Sequence, residues 1–181
     1  AGKSWYTDMA HGDAYQTYIT KEVPAYCRSV FRCMSDKRED NFVAGLSMGG
    51  GGSVNYALRY PETFCACYAM SAWLGMDQQL GGNPKDPKSK FSLLTKAVAE
   101  LGAVKLLEDM DKEELKKLHT VAWFIDCGDD DFLLEQSEEL HMKMRHLRIP
   151  SQFRVRDGNH NWEYWHNALR LCLPFVSRQF K

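Results

Sequence analysis

Asn41-Phe42-Val43-Ala44-Gly45-Leu46-Ser47-Met48-Gly49-Gly50-Gly51-Gly52 decides how the chain is read. A short apolar run ends at Ser47, glycines follow, and Val54, Ala57 and Leu58 come before Pro61, an order that predicts strand, tight turn and helix. Within it, Gly45-Leu46-Ser47-Met48-Gly49 sets a serine between two glycines at Gly-x-Ser-x-Gly spacing. Small residues on either side of a serine permit a sharp strand-to-helix turn that lifts the hydroxyl clear of a sheet. Such spacing arises by chance in roughly one chain of this length in twenty, so its weight comes from its position between an apolar strand and a helix. The glycines at 49 to 52 would weaken an ordinary helix by up to about 1 kcal/mol each relative to alanine. Close approach of this helix N-terminus to the strand and to a ligand is the expected compensation. Ser47 is the candidate nucleophile, and the N–H of Met48, next in the turn, is a candidate donor to an oxyanion.

Outward from this stretch, the pattern repeats. Residues 64–70 and 121–128 are short apolar runs of the kind that form buried parallel strands, and Gln152-Phe153-Arg154-Val155-Arg156 alternates as a half-exposed strand near a sheet edge does. Apolar residues at helical spacing predict a helix over 14–31, with Asp13 and Gln16 as its capping box, and further helices over 133–147 and 162–180. Strands alternating with helices imply an α/β sheet with right-handed crossovers. Residues 74–92, rich in Gly, Asn, Pro and Lys, read as one long irregular loop, a feature that often serves binding.

The 181 residues fit a single domain spanning 1–181, and a hydrophobic fraction of 44% with 26% charged residues excludes disorder and fibrous repeats. A net charge of −1, with no basic cluster beside aromatics, argues against a nucleic-acid partner. No apolar run approaches the roughly 20 residues needed to span a bilayer. Ala1-Gly2-Lys3-Ser4-Trp5 has no signal-peptide shape, so no membrane association or targeting address is expected from these residues. The six cysteines are scattered through apolar segments and read as free thiols, with Cys65 and Cys67 on one side of a strand.

A serine nucleophile needs a base. Of the six histidines, His141, His146 and His166 fall within predicted helices and His119 precedes a strand, whereas His160 follows a strand end in the turn Asp157-Gly158-Asn159. There an imidazole can overhang the C-terminal edge of the sheet. The base in turn needs an acid to orient it and to stabilise the imidazolium. Asp129, Asp130 and Asp131 all follow the third strand, and a run of acids is also what a solvated turn or a helix cap looks like. Their spacing is not that of a calcium loop, so no metal is expected.

Ser4-Trp5-Tyr6-Thr7-Asp8, Phe42 to Gly50, Asp126-Cys127-Gly128-Asp129-Asp130-Asp131-Phe132-Leu133 and Gly158-Asn159-His160-Asn161-Trp162 together resemble the α/β-hydrolase branch of feruloyl esterases, acetyl xylan esterases and S-formylglutathione hydrolases. The resemblance runs the length of the chain and implies a serine esterase with Ser47 as nucleophile, His160 as base and Asp131 as acid, without a cofactor. It implies carboxylic ester hydrolysis, with feruloyl or acetyl esters of plant polysaccharide preferred. A small-molecule carboxylesterase or S-formylglutathione hydrolase is the alternative, and a non-catalytic binding remnant of the fold is a third. Trp5, Tyr6, Trp73 and Trp162 are candidate substrate contacts by stacking, and at Gly51 many relatives carry a larger side chain. In that family the sheet has eight strands in the order 1-2-4-3-5-6-7-8. The four strands read here would then be its contiguous C-terminal half. The N-terminal strands, with the second oxyanion donor, would come from a longer chain, a second chain or a swapped partner.

Overall fold

The computed structural model describes residues 5–8, 13–75 and 102–180. Four strands, β1 (Phe42–Leu46), β2 (Ala66–Met70), β3 (Ala122–Gly128) and β4 (Ser151–Arg156), form one parallel sheet in sequential order. The register is tight at the C-terminal end, where Leu46 pairs with Met70 and Met70 with Asp126. β2 is buried throughout and β3 nearly so, as parallel strands covered on both faces must be, while β1 and β4 alternate in exposure.

Among the described residues six α-helical segments accompany the sheet, besides a 3-10 turn at Arg38–Asp40. α1 comprises Tyr15–Thr17, a π-helical turn Tyr18–Glu22, and Val23–Val30. The others are α2 (Met48–Arg59), α3 (Ala103–Asp109), α4 (Lys112–Leu118), α5 (Leu134–His146) and α6 (Trp162–Ser177). One face of the sheet packs Cys67, Ala69, Trp123 and Ile125 against Val54 and Leu58 of α2, Leu107 of α3, and Leu140 and Met144 of α5. The other packs Tyr68, Met70 and Phe124 against Tyr164, Trp165, Ala168 and Phe175 of α6. The layering is helix, sheet, helix, the α/β arrangement that the alternation of runs implied.

Two expectations change. Asp13 does not cap α1, since the N-cap position is Ala14 and no side chain caps it. Instead the preceding chain folds back through a bridge between Asp8 and Ala14, and the Asp8 carboxylate accepts from the Thr17 N–H and hydroxyl at 2.9 and 2.6 Å. Pro24, which has no N–H to give, follows the π-helical turn, whose wider pattern lets the helix continue past it. Cys65 and Cys67 lie on opposite faces, because pairing begins only at Ala66 and Cys65 is still in the bend before it. All six cysteines are free thiols. Of the loop expected over 74–92, residues 76–92 lie outside the described residues, as do Ser4 and His11.

Candidate active site

Ser47 ends β1 and begins α2 with φ 54° and ψ −122°, a left-handed conformation rarely occupied by a residue with a side chain. The surroundings hold it there. Its N–H donates to Met70 O at 2.9 Å, and its carbonyl accepts from Gly51 and Trp73 at 3.1 and 3.0 Å. Strain of this kind persists only where neighbouring structure over-determines it, and here it projects the hydroxyl off the sheet edge.

The glycines explain themselves one at a time. A Cβ on Gly45 would stand 2.2 Å from Gly49 O, so strand and helix could not meet at this angle. One on Gly50 would meet Met70 O at 2.9 Å, and one on Gly51 would fall 1.8 Å from Trp73 O. A Cβ on Gly52 would stand 2.9 Å from the Tyr6 ring, whereas one on Gly49 would make only an ordinary contact with Tyr6 Oη at 4.0 Å. The compensation for a glycine-rich helix start is therefore close contact with the chain at 70–73 and with Tyr6. Met48 is the first residue of α2, and the N–H of a first-turn residue has no intrahelical partner, which leaves it available to an oxyanion.

His160 Nε2 lies 2.9 Å from Ser47 Oγ, and its Nδ1 lies 2.9 Å from Asp131 Oδ2 and 3.1 Å from Oδ1. The three residues sit at the ends of β1, β3 and β4, brought together by parallel register across 113 and 29 positions of sequence. With Nδ1 protonated toward the carboxylate, Nε2 is the acceptor that faces the serine hydroxyl. The Asp131 side chain is fully buried, and its Oδ1 also accepts from Leu133 N–H at 2.9 Å, so the carboxylate cannot swing away. Its neighbours do other work. Asp129 is exposed and accepts from the Gly158 N–H at 2.9 Å, pinning the turn after β4, and the N-cap of α5 is Leu133 rather than an aspartate.

Two rings bracket His160: Phe132 tilted at 4.6 Å between centroids, and Trp165 edge-on at 4.9 Å. Trp165 is held by its indole N–H, which donates to Ser71 Oγ at 3.1 Å. Trp162, a candidate substrate contact, is largely exposed and packs on Trp165 and His166. Helical periodicity could have found the buried ring, since Trp165 shares a face with Ala168 and Cys172. Trp5 and Trp73 lie tilted against each other, 4.2 Å between ring centroids, beside Met48 and Gly51. Tyr6 lies against Gly52, with its carbonyl accepting from Tyr56 Oη at 2.8 Å.

The remaining candidates are accounted for. His141 Nδ1 is 2.9 Å from Ser151 Oγ, and the ring stacks on Phe153, which makes it part of the packing. Burial pushes the Cys127 thiol up to about 12, with the Asp131 charge adding to it, so no competing thiolate forms beside the triad positions. Among the described residues no cluster of His, Cys, Asp and Glu could hold a metal ion, and no helix is long and apolar enough to cross a membrane.

A family model described as "Putative esterase" matches residues 5–175. An acetyl esterase of Caldicellulosiruptor saccharolyticus is 26% identical over 97% of this chain and 68% of its own length. A solved ferulic acid esterase is 46% identical with a TM-score of 0.87, covering 97% of this chain and 65% of that one. The crystal structure of an S-formylglutathione hydrolase from Staphylococcus aureus is 26% identical with a TM-score of 0.77, covering 97% of this chain and 68% of that one. The chain thus spans about two thirds of the length of these relatives.

Proposed function

Since the chain belongs to the esterase family, we propose that it hydrolyses carboxylic esters through an acyl-enzyme on Ser47, with His160 as general base and Asp131 as the acid that orients it. The observation that carries this reading is the double bridge of His160, 2.9 Å to Ser47 Oγ on one side and 2.9 Å to Asp131 Oδ2 on the other. Ser47 Oγ attacks the ester carbonyl while His160 Nε2 takes its proton. The Met48 N–H donates to the oxyanion of the tetrahedral intermediate. His160 then protonates the departing alcohol, and a water activated by the same nitrogen releases the acid and restores Ser47. No group beyond these side chains is needed for the proton and bond balance.

Feruloyl or acetyl esters of plant polysaccharide are the preferred substrates, a reading supported by the identity to the ferulic acid esterase and the acetyl esterase. Trp5 and Trp73 flank Met48 and Gly51, Tyr6 lies against Gly52, and the three would supply the aromatic wall on that side, with Trp162 at the outer rim. The second reading, thioester hydrolysis, draws on the likeness to the S-formylglutathione hydrolase. Rates on methyl ferulate, acetylated xylan and S-formylglutathione, measured in one panel, rank the two; a dominant thioesterase rate reverses the order. A binding remnant would leave Ser47 inert, so covalent labelling by a fluorophosphonate probe, lost in Ser47→Ala, is the direct test of the hydrolytic reading.

Residues 1–181 are read as one domain, and β1 carries a partner on one side only among the described residues. Phe42 on this strand is exposed and meets the Phe180 ring edge-on, at 6.1 Å between ring centroids. Further strands, from the same polypeptide or from a second chain, would cover this edge and bring the second oxyanion donor.

A further inference from the structure

Beneath the triad positions lies a second polar cluster that the hydrolytic steps do not use. Asp126, two residues from the end of β3, is wholly buried. Its Oδ2 accepts from Tyr68 Oη at 2.5 Å, its Oδ1 accepts from Tyr164 Oη, and Arg156 Nη2 donates to both oxygens at 2.8 and 3.0 Å. A carboxylate taken out of water costs several kcal/mol unless its lone pairs are met by a cation and hydrogen bonds, and here all are. The guanidinium of Arg156 in turn lies over the Tyr164 ring, 4.5 Å from its centroid.

The placement of the donors is informative. Arg156 is the last residue of β4, four before His160, and Tyr164 is in the first turn of α6, four after it. One carboxylate therefore holds both ends of the segment from which the imidazole hangs. Two backbone details tighten that segment. The Asn161 side chain accepts from the Tyr164 N–H at 2.9 Å, and the Tyr164 ring fills the space where a Cβ on Gly158 would stand, 2.6 Å from Cδ2. Tyr68, by contrast, binds the same carboxylate from β2, and its hydroxyl's other partner is Ala168 O of α6, at 3.5 Å and beyond the segment.

We propose that Asp126, acting through Tyr164 and Arg156, is the positioning residue for His160, setting the reach of its imidazole to Ser47. Burial, followed by the bond to Asp126, pushes the phenols of Tyr68 and Tyr164 well above the ordinary tyrosine range, so both remain donors through any working pH. Burial opposes the Arg156 cation, but the hydrogen bond to Asp126, the charge of Asp126 and the neighbouring Tyr164 and Tyr68 together more than offset it. The arms are thus constant over the range in which a histidine base operates.

This inference rests on His160 acting as the base, and the two tyrosines make it separable from a merely structural role. Tyr164→Phe and Tyr68→Phe each delete one phenol bond to the same carboxylate, but only the first frees the His160 segment. A misplacement of a catalytic group by a fraction of an ångström to 1 Å costs about tenfold to a hundredfold, so Tyr164→Phe is expected to lose that much kcat on p-nitrophenyl acetate with KM unchanged. Tyr68→Phe should keep kcat within about twofold even where it lowers the melting temperature, since the geometry of the reacting groups is untouched. Arg156→Lys, which keeps the cation but not the reach to both oxygens, reads the other arm and should also lose kcat. Independently of turnover, the His160 Nδ1 proton held against Asp131 should appear as a protected downfield NMR resonance in wild type and Tyr68→Phe, and be broadened in Tyr164→Phe. Equal kcat losses in the two tyrosine variants, or undiminished kcat in both arm variants, overturn the proposal. Wild-type protein that takes no fluorophosphonate label would refute the hydrolytic reading instead, and the NMR comparison would still decide this one.

Discussion

Three consecutive aspartates follow β3, and their side chains have three different surroundings. Asp131 is buried against His160 and Leu133 N–H, Asp129 pins Gly158, and Asp130 is exposed with only its backbone N–H engaged, to Gly158 O. If Asp131 is the acid proposed above, Asp131→Asn should cost on the order of ten-thousandfold in kcat by presenting the imidazole with the wrong tautomer. Asp129→Asn should be mild, because an amide oxygen can still accept from Gly158 N–H. Steady-state kinetics of the pair checks the acid, and sensitivity at Asp129 instead would reassign it. Gly51 is a second residue with a sharp expectation. Backbone, not a flexible side chain, stands 1.8 Å from its would-be Cβ, so Gly51→Ala must push residues 72–74 away and with them Trp73. Overpacking of this kind costs about 1 to 3 kcal/mol, and a drop in urea midpoint together with a raised KM for methyl ferulate is the expected pair of readouts.

At the scale of elements, the Asp126 cluster joins β2, β3, β4 and α6 through one carboxylate. Its phenols give it a signature in alkali. In the unfolded chain Tyr68 and Tyr164 ionise near 10.0, whereas in the folded protein burial and then Asp126 hold them protonated to higher pH. A folded pKa raised above the unfolded one means stability that is fully present below the unfolded value and is lost as pH rises from there toward the folded value. The urea midpoint should fall as pH is raised from about 9 to about 11, and the fall should be shallower in Tyr68→Phe, which carries one such phenol fewer. An unchanged slope would mean that the buried phenols ionise as freely in the folded protein as in the unfolded one.

At the scale of the molecule, the sheet ends among the described residues at β1, an apolar strand with Phe42 and Ala44 exposed. Unpaired backbone groups on such a strand are a template for association. Met48 is the one oxyanion donor proposed among the described residues, and loss of a donor typically lowers turnover about a hundred- to thousandfold. Material with full esterase activity is therefore expected to be larger than a monomer of 181 residues, by added chain or by a partner. Intact mass and sizing of the active fraction check this, and a fully active monomer of that length would mean that the edge is covered in another way.

Local chemistry was legible from residue order. The apolar run ending at Ser47, the glycines after it and the strands at 122–128 and 151–156 all declare themselves through periodicity and turn residues, which act over a few positions. The choice of His160 among six histidines followed from the same local signals, and Asp131 was reached only through resemblance. The tertiary structure decided what depends on register. Parallel pairing of Leu46, Met70 and Asp126 is what sets residues 47, 131 and 160 side by side, and no pattern within any one segment encodes that distance. It also set Trp165 against His160, put Cys65 and Cys67 on opposite faces, and gathered Tyr68, Asp126, Arg156 and Tyr164. Each of these is a contact between elements, fixed by how strands align and helices pack after the local segments have formed.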